Sequence, residues 1–368
     1  MMCKCDLKSM NERELCEVAV SLGEKPFRGK QLYNHIARGE HCFGDMQNIP
    51  EAFLHRLEKE YYIEKPEIIK LEKSKKDGTQ KYAFKLKDDL IIESVLMKYS
   101  YGNSICISSQ AGCAMGCVFC ASGASGFERN LTAGEMLAEV DQVARNIGER
   151  ISRIVIMGTG EPMQNLKNIN TFIELMHDAK GRNMSLRNIT VSSCGLIPEL
   201  KKFYKRWPQV NLAISLHSHD SEIRQRLMPI EKTYPIEEIF NFAKEYTGYT
   251  NRRITYEYAL IKGINDGTGQ AKMLASELKG QLCHVNLIIL NDADGYEFKG
   301  TDRESATAFM NVLKNRGIQV TMRRKLGDDI SGACGQLRLR LSGENAAFVV
   351  FSISSKKRVR ANMPQENR

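Results

Sequence analysis

Three cysteines fall within eight residues, in Cys113-Ala-Met-Gly-Cys117-Val-Phe-Cys120. Thiolates this close on one loop are metal ligands by type, and the open question is which metal. A cubane iron-sulfur cluster takes four ligands, so three cysteines leave one iron free to chelate a substrate. The same residues fit a zinc site completed by a distant ligand, or a chance group of buried thiols, and spacing alone leaves these readings open. Gly158-Thr159-Gly160-Glu161-Pro162, after the apolar run RIVIM, reads as a Gly-rich turn at a strand end, a common feature by itself. The chain has eleven cysteines without a regular framework spacing, which points to metal or redox chemistry in a reducing compartment rather than to structural disulfides.

These residues need elements to hold them. The first sixty-odd positions read as helices: Ser9-x-x-Glu12 has the form of a capping box, and Pro26 and Pro50 open further helical segments,. Residues 1–64 are therefore expected to form a small N-terminal helical domain. Over residues 65–99 the pattern turns to β, with IIKLEK and QKYAFKL flanking Asp77-Gly78 and the run LIIESVLMKY after them, a hairpin with a linking strand,. From residue 100, six apolar strands (SICISS, RIVIMG, NITVSS, VNLAISL, ITYEYALI, HVNLIIL) alternate with amphipathic helical stretches. Such alternation implies parallel β/α units, either an open partial barrel with its site at the C-terminal rim or a doubly wound sheet. Residues 338–368 read as a tail with one apolar patch and a basic run.

Bulk properties narrow the classes. The 42% apolar content suits a soluble protein with a sizeable core, and 53 Lys and Arg against 44 Asp and Glu give +9, which favours a polyanionic partner without requiring one. The opening MMCKCDLKSM has neither a signal-peptide core nor transit-peptide character, and no apolar run approaches membrane-spanning length,. A cytoplasmic protein with no membrane contact is expected.

An ordered series of motifs carries a resemblance. The Cys-x3-Cys-x2-Cys spacing, with Phe119 before its last cysteine, is that of the radical-SAM superfamily, and Gly158 to Pro162 resembles that superfamily's GGEP element. ICISSQAGCAMGCVFCASGASGFERNLTAGEM, MGTGEPMQN, NITVSSCGLIP, NLAISLHS, RLMPI, EYALIKGIND, HVNLIILN and GDDISGACGQL together resemble the RlmN and Cfr family of RNA adenine methyltransferases, from about Asp6 to Leu337. The resemblance implies an α/β fold, a partial (β/α)6 TIM-like radical-SAM barrel over residues 100–337 with the helical domain and β-hairpin extension before it. It also implies that Cys113, Cys117 and Cys120 hold a [4Fe-4S] cluster. S-adenosylmethionine (SAM) would be contacted by Gly160, Glu161, Ser192, Ser215, Leu216, His217 and Asn291. Taken one at a time, a strand-end Ser or Asn also fits a turn, and a lone His a structural role.

By the same resemblance SAM is used twice per turnover. The Cys334 thiolate takes a methyl group by displacement, forming S-methylcysteine; a second SAM, reductively cleaved, yields the radical that abstracts hydrogen from that methyl. After addition to the adenine ring, Glu93 would accept a proton, and Cys106 would form a disulfide with Cys334 to release product. Without the family, Glu93 reads as the solvent face of a strand and Cys106 as core. No role is assigned to Cys3, Cys5, Cys16, Cys42, Cys194 or Cys283.

The implied substrate is an adenine of 23S ribosomal RNA at the peptidyl-transferase centre, with the transfer RNA adenine beside the anticodon as a second substrate of some members. Phosphate contacts are expected from Arg28 and Lys30, Lys73, Lys75 and Lys76, Arg252-Arg253 and Arg323-Arg324, although each alone also fits a solvated charge. RlmN methylates carbon 2 and Cfr carbon 8, the latter giving antibiotic resistance. Met157-Gly-Thr-Gly-Glu-Pro and the run from Arg252 to Ile261 resemble RlmN, whereas Pro208-Gln-Val-Asn-Leu beside SLHS is also similar to Cfr; carbon 2 is expected, with carbon 8 as the alternative. Asn291-Asp-Ala departs from the Asn-Pro usual in RlmN. A flavodoxin or ferredoxin is the expected electron donor and a monomer the expected state. A reading of another class is a zinc-stabilised, non-catalytic RNA-binding protein.

Overall fold

A computed structural model describes residues 4–124, 126–291 and 298–330. Near the N-terminus Cys5–Asp6 (β1) pairs in parallel with Tyr61–Tyr62 (β2), around helices Glu12–Ser21 (α1), Pro26–Ala37 (α2) and Glu51–Glu60 (α3). The apolar residues of each helix recur at helical spacing, Leu15, Val18 and Ala19 on α1 and Leu32, Tyr33 and Ile36 on α2, so each buries one face,. The capping box forms two residues later than expected. Asn11 caps α1 and exchanges hydrogen bonds with Glu14 (Asn11 N to Oε2 2.8 Å, Glu14 N to Oδ1 3.0 Å). Ser9 is drawn away because its hydroxyl donates to Asp6 at 2.9 Å and accepts from the Gly134 N–H at 2.8 Å.

Glu67–Lys73 (β3), Gln80–Lys85 (β4), Ile91–Tyr99 (β5) and Gly102–Ile107 (β6) form an antiparallel meander. The short pair Gln110–Gly112 (β7) and Phe127–Asn130 (β8) stands apart from it. Then Ile151–Ile156 (β9), Ile189–Ser193 (β10), Asn211–Ser215 (β11), Ile254–Leu260 (β12), Cys283–Ile289 (β13) and Val320–Met322 (β14) add in parallel, starting from β6. The result is one ten-stranded sheet whose spatial order is its sequence order, with β3 and β14 at its edges. A doubly wound sheet reverses direction at a switch point, and this one does not. It is a singly wound, open barrel sheet, so the α/β partial-barrel expectation holds.

All six expected strands are present. β14 was missed because three residues carry too little pattern, and the meander continues the barrel sheet instead of standing off it,. Side chains alternate across the sheet: Ile105, Ile107, Ile154 and Ile156 are buried in the main core, while Cys106 packs on the other face with Val95 and Met97,. The outer face is covered by helices such as Ala133–Ile147 (α5), which turns Met136, Leu137, Val140 and Val143 inward and is capped reciprocally by Thr132 and Glu135. The N-terminal helices are tied to this layer. Lys8 and Arg182 both pair with Asp141 of α5, at 3.0 and 2.8 Å, and the Tyr33 hydroxyl donates to Asp178 at 2.6 Å. Among the described residues no helix is long and apolar enough to cross a membrane.

Candidate active site

The cysteine loop is set by its neighbours' backbone. It leaves β7 at Gly112, whose φ is +74° and where a Cβ would lie 2.0 Å from the Gly126 carbonyl oxygen, so only glycine fits,. The Cys113 N–H then donates to that carbonyl at 2.7 Å, the Val118 N–H reaches Leu227 O at 3.1 Å, and the loop runs into the short helix Ala121–Ala124 (α4). Cys113, Cys117 and Cys120 line one cavity with Met115 and Phe119. Burial foremost, and then repulsion between the thiolates, pushes Cys113 up to about 11 and Cys117 well above the usual thiol range. Thiolates so placed call for a compensating cation. Among the described residues no three of His, Cys, Asp and Glu converge on a single ion. The soft all-sulfur donor set around one cavity fits a cluster that spreads its ligands over separate irons.

The opposite wall comes from the C-terminal ends of successive strands. After β9, Gly158 donates its N–H to Ile107 O at 2.9 Å, an approach that a Cβ would block by lying 2.6 Å from that oxygen. Gly160 has φ +108° and packs on Gln110. The buried Glu161 carboxylate accepts the Met163 N–H at 2.9 Å and the Cys194 N–H at 2.8 Å, stapling the end of β9 to that of β10. Burial raises its pKa while these hydrogen bonds pull it down. The Cys194 and Ser193 side chains add further hydrogen bonds to the same carboxylate.

Ser192 and Ser215, on β10 and β11, line the same cavity. His217 follows β11 at φ +56°, accepts the Ala259 N–H on Nδ1 at 2.9 Å, and stands edge-on to Phe119 with ring centroids 4.8 Å apart. Burial, with the Arg224 charge, depresses its pKa to about 3, so the ring is neutral near pH 7 and carries its proton on Nε2,.

Not every expected residue reaches this wall. Leu216 is wholly buried in the core and meets its surroundings through its backbone N–H, which donates to Glu257 O at 3.0 Å. Asn291 is half-buried just beyond β13 and does not line the cavity. Glu93 and Cys106 lie on β5 and β6; Met157, on the cavity wall, also packs against the Val95, Met97 and Cys106 group. Cys106 is buried, and Cys334 lies outside the described residues. The chain approaches that position along the β3–β4 turn. Leu326 packs on the Cys106 group, the Gly327 N–H donates to Asp77 Oδ2 at 2.9 Å, and the Lys75 N–H donates to Asp329 Oδ2 at 3.1 Å.

Three contributors escaped sequence reasoning. Arg224, on the helix Ser221–Leu227, is fully buried, pairs with Glu231 and donates to Leu216 O at 3.1 Å and Cys194 O at 2.8 Å, binding the ends of β10 and β11 together. Glu257 lines the cavity and accepts from Asn286 Nδ2 at 2.8 Å. Lys81 pairs with Glu93. Of the basic candidates, Lys30, Lys73, Lys75 and Lys76 are exposed, and Arg28 lies 4.7 Å above the exposed Phe27 ring. Arg252 instead donates to Asn211 Oδ1 at 2.6 Å, and Arg323 lines the cavity.

Comparison with known proteins adds to this geometry. Residues 5–63 match the family model of the ribosomal RNA large subunit methyltransferase N-terminal domain, and residues 107–271 that of the radical SAM superfamily. The chain is 47% identical over 336 residues to a probable dual-specificity RNA methyltransferase RlmN of Lachnospira eligens, covering 90% of this chain and 95% of the relative. A Clostridium acetobutylicum protein of the same description is 46% identical over 328 residues, covering 89% and 95%. A radical SAM methyltransferase from Sphaerobacter thermophilus superposes with a TM-score of 0.86 at 38% identity, over 91% of this chain and 99% of that one.

Proposed function

Because the chain belongs to the RlmN family of radical-SAM RNA methyltransferases, we propose that it methylates carbon 2 of an adenine in 23S ribosomal RNA, and of the transfer RNA adenine beside the anticodon, with Cys334 as the methyl carrier. The observation that carries this reading is the convergence of Cys113, Cys117 and Cys120 with Glu161, Ser192, Ser215 and His217 on one cavity, in a chain aligned along most of its length with dual-specificity relatives.

When bound, a [4Fe-4S] cluster on the three cysteines supplies the electron that opens SAM, two SAM molecules being used per turnover. The chain's own residues do the rest. Gly160 exposes backbone and Glu161 offers its carboxylate to the SAM ammonium group, while Ser192, Ser215 and the Nε2–H of neutral His217 supply hydrogen bonds, and Leu216 and Asn291 position backbone and side-chain groups at the strand ends. Carbon 2 of adenine is a poor nucleophile, so direct displacement on a methyl sulfonium is unfavourable; a methyl group first carried on a cysteine thiolate avoids it. Glu93 accepts the proton the ring must lose, and the Cys106 thiol releases product by pairing with Cys334. A flavodoxin or ferredoxin delivers electrons to a cytoplasmic monomer.

The test is mass spectrometry of ribosomal and transfer RNA from a strain lacking the gene and from its complemented counterpart. Restoration of 2-methyladenosine is expected; 8-methyladenosine in its place overturns the assignment. Anaerobically purified protein is expected to be brown and to contain iron, whereas a colourless zinc protein would support the binding-module alternative.

A further inference from the structure

We propose that Lys81 is a positioning residue for the methylation reaction, its ammonium holding the Glu93 carboxylate as an anion with one oxygen open to receive a proton. The proposal rests on the reading of Glu93 as proton acceptor. Its geometry comes from sheet register. Lys81 lies opposite Val95, Ala83 opposite Glu93, and Val95 opposite Cys106, so Lys81, Glu93 and Cys106 share one face of three adjacent strands,. On that face Lys81 Nζ is 2.8 Å from Glu93 Oε1, with the two side chains only 6% and 5% exposed. Neither Glu93 oxygen has an aligned hydrogen-bond partner among the described residues, so Lys81 meets Oε1 as an ion pair by distance and Oε2 is left uncontacted by any cation.

Stability alone is a poor reason for this arrangement. Removing two charges from water costs more than a single contact usually returns, and two apolar side chains would join β4 and β5 at least as well. What the pair does provide is opposition between two effects on one acid. Burial, the larger, drives the Glu93 pKa upward, and the Lys81 charge holds it down against that pressure, leaving it raised above the ordinary value. A carboxylate so balanced is a better base than an exposed one, and the neighbouring ammonium favours its charged form. Among the described residues the other charges facing it are Lys70 and Glu72 on β3, which pair with each other at 3.0 Å, while β6 presents the thiol Cys106 and the uncharged Ser108 follows it, its hydroxyl donating to Glu93 O at 2.8 Å. Lys81 is therefore the cation that sets this carboxylate.

In the step concerned, the proton leaves the ring carbon for Oε2 and the C–H bonding pair stays on the ring. Glu93 becomes a neutral acid, Lys81 remains an ammonium, and no electron changes hands.

The experiment uses full-length, cluster-reconstituted protein and a 23S ribosomal RNA fragment. Methylation rate and 5′-deoxyadenosine formation are measured separately across pH for wild type, K81M, K81R and E93Q. Without the cation, burial acts unopposed, so the acidic limb of the K81M methylation profile is expected to move up by about one pH unit or more. SAM cleavage is expected to persist, and K81R to restore the wild-type limb. If K81M does not fold, K81Q serves in its place. An unmoved limb, including one in which the rate falls uniformly at every pH, overturns the proposal and leaves a structural ion pair. Full methylation by E93Q would instead remove the acceptor reading itself, whereas an inactive E93Q with an unmoved K81M limb removes only the role of Lys81.

Discussion

Arg224 shows how one side chain outside the motifs that carry the resemblance can govern a site. Fully buried, it joins a carboxylate, Glu231, to the carbonyls of Cys194 and Leu216, one beyond β10 and one beyond β11. Removing the guanidinium with R224M strands Glu231 in the interior, so a loss of about 3–5 kcal/mol is expected in chemical denaturation. R224K should recover only part of this, because an ammonium cannot bridge the same acceptors in a planar fork. Nothing in the sequence announces the residue: Arg224 and Arg226 share one short helix, and from sequence either reads as solvent-facing. The cysteine loop was legible because its chemistry is local, three ligands in eight positions. Glu93 was not legible without the family resemblance, and Lys81 was not legible at all, since the pairing depends on strand register and on burial that alternation alone does not reveal.

At the scale of elements, the cavity depends on how closely the ends of β6 and β9 approach. Gly158 sits where that approach is tightest, with Ile107 O in the place a side chain would occupy. G158A is expected to push the two strand ends apart, at a cost of about 1–3 kcal/mol, and to weaken SAM binding, with calorimetric titration and a thermal melt as the two readings. A melt unchanged from wild type together with unchanged affinity would show that the turn tolerates the methyl group. The glycine was visible in the sequence as part of a strand-end turn; what it accommodates was not, because the obstructing carbonyl comes from a residue fifty-one positions earlier. The β7–β8 pair escaped for a related reason. Its strands are three and four residues long and flank the cysteine loop, too short for periodicity to register,.

For the molecule as a whole, the N-terminal helices and the barrel meet through Asp141, with Lys8 on one side and Arg182 on the other. Burial pushes its carboxyl up, but the Arg182 and Lys8 charges outweigh burial and hold it below the ordinary value. A depressed acid contributes stability that is present above its unfolded pKa, about 3.9, and that is lost as pH falls through the lower folded value. Wild type is therefore expected to melt above D141N near neutral pH, with the gap narrowing as the pH is taken below about 4. A constant gap across that range would assign the pair no linkage. The overall architecture was legible from six alternating strands, whereas this junction was not, since its three charges are scattered along the chain. The sheet's sequential order has a last consequence, for biosynthesis. Each strand of the large sheet needs only its predecessor, so the molecule can be laid down from one end as it leaves the ribosome,. Cys113, Cys117 and Cys120 follow the fourth of its ten strands and emerge before β9 to β12 wall them in, which leaves the nascent thiols accessible to a delivery partner until the later strands arrive.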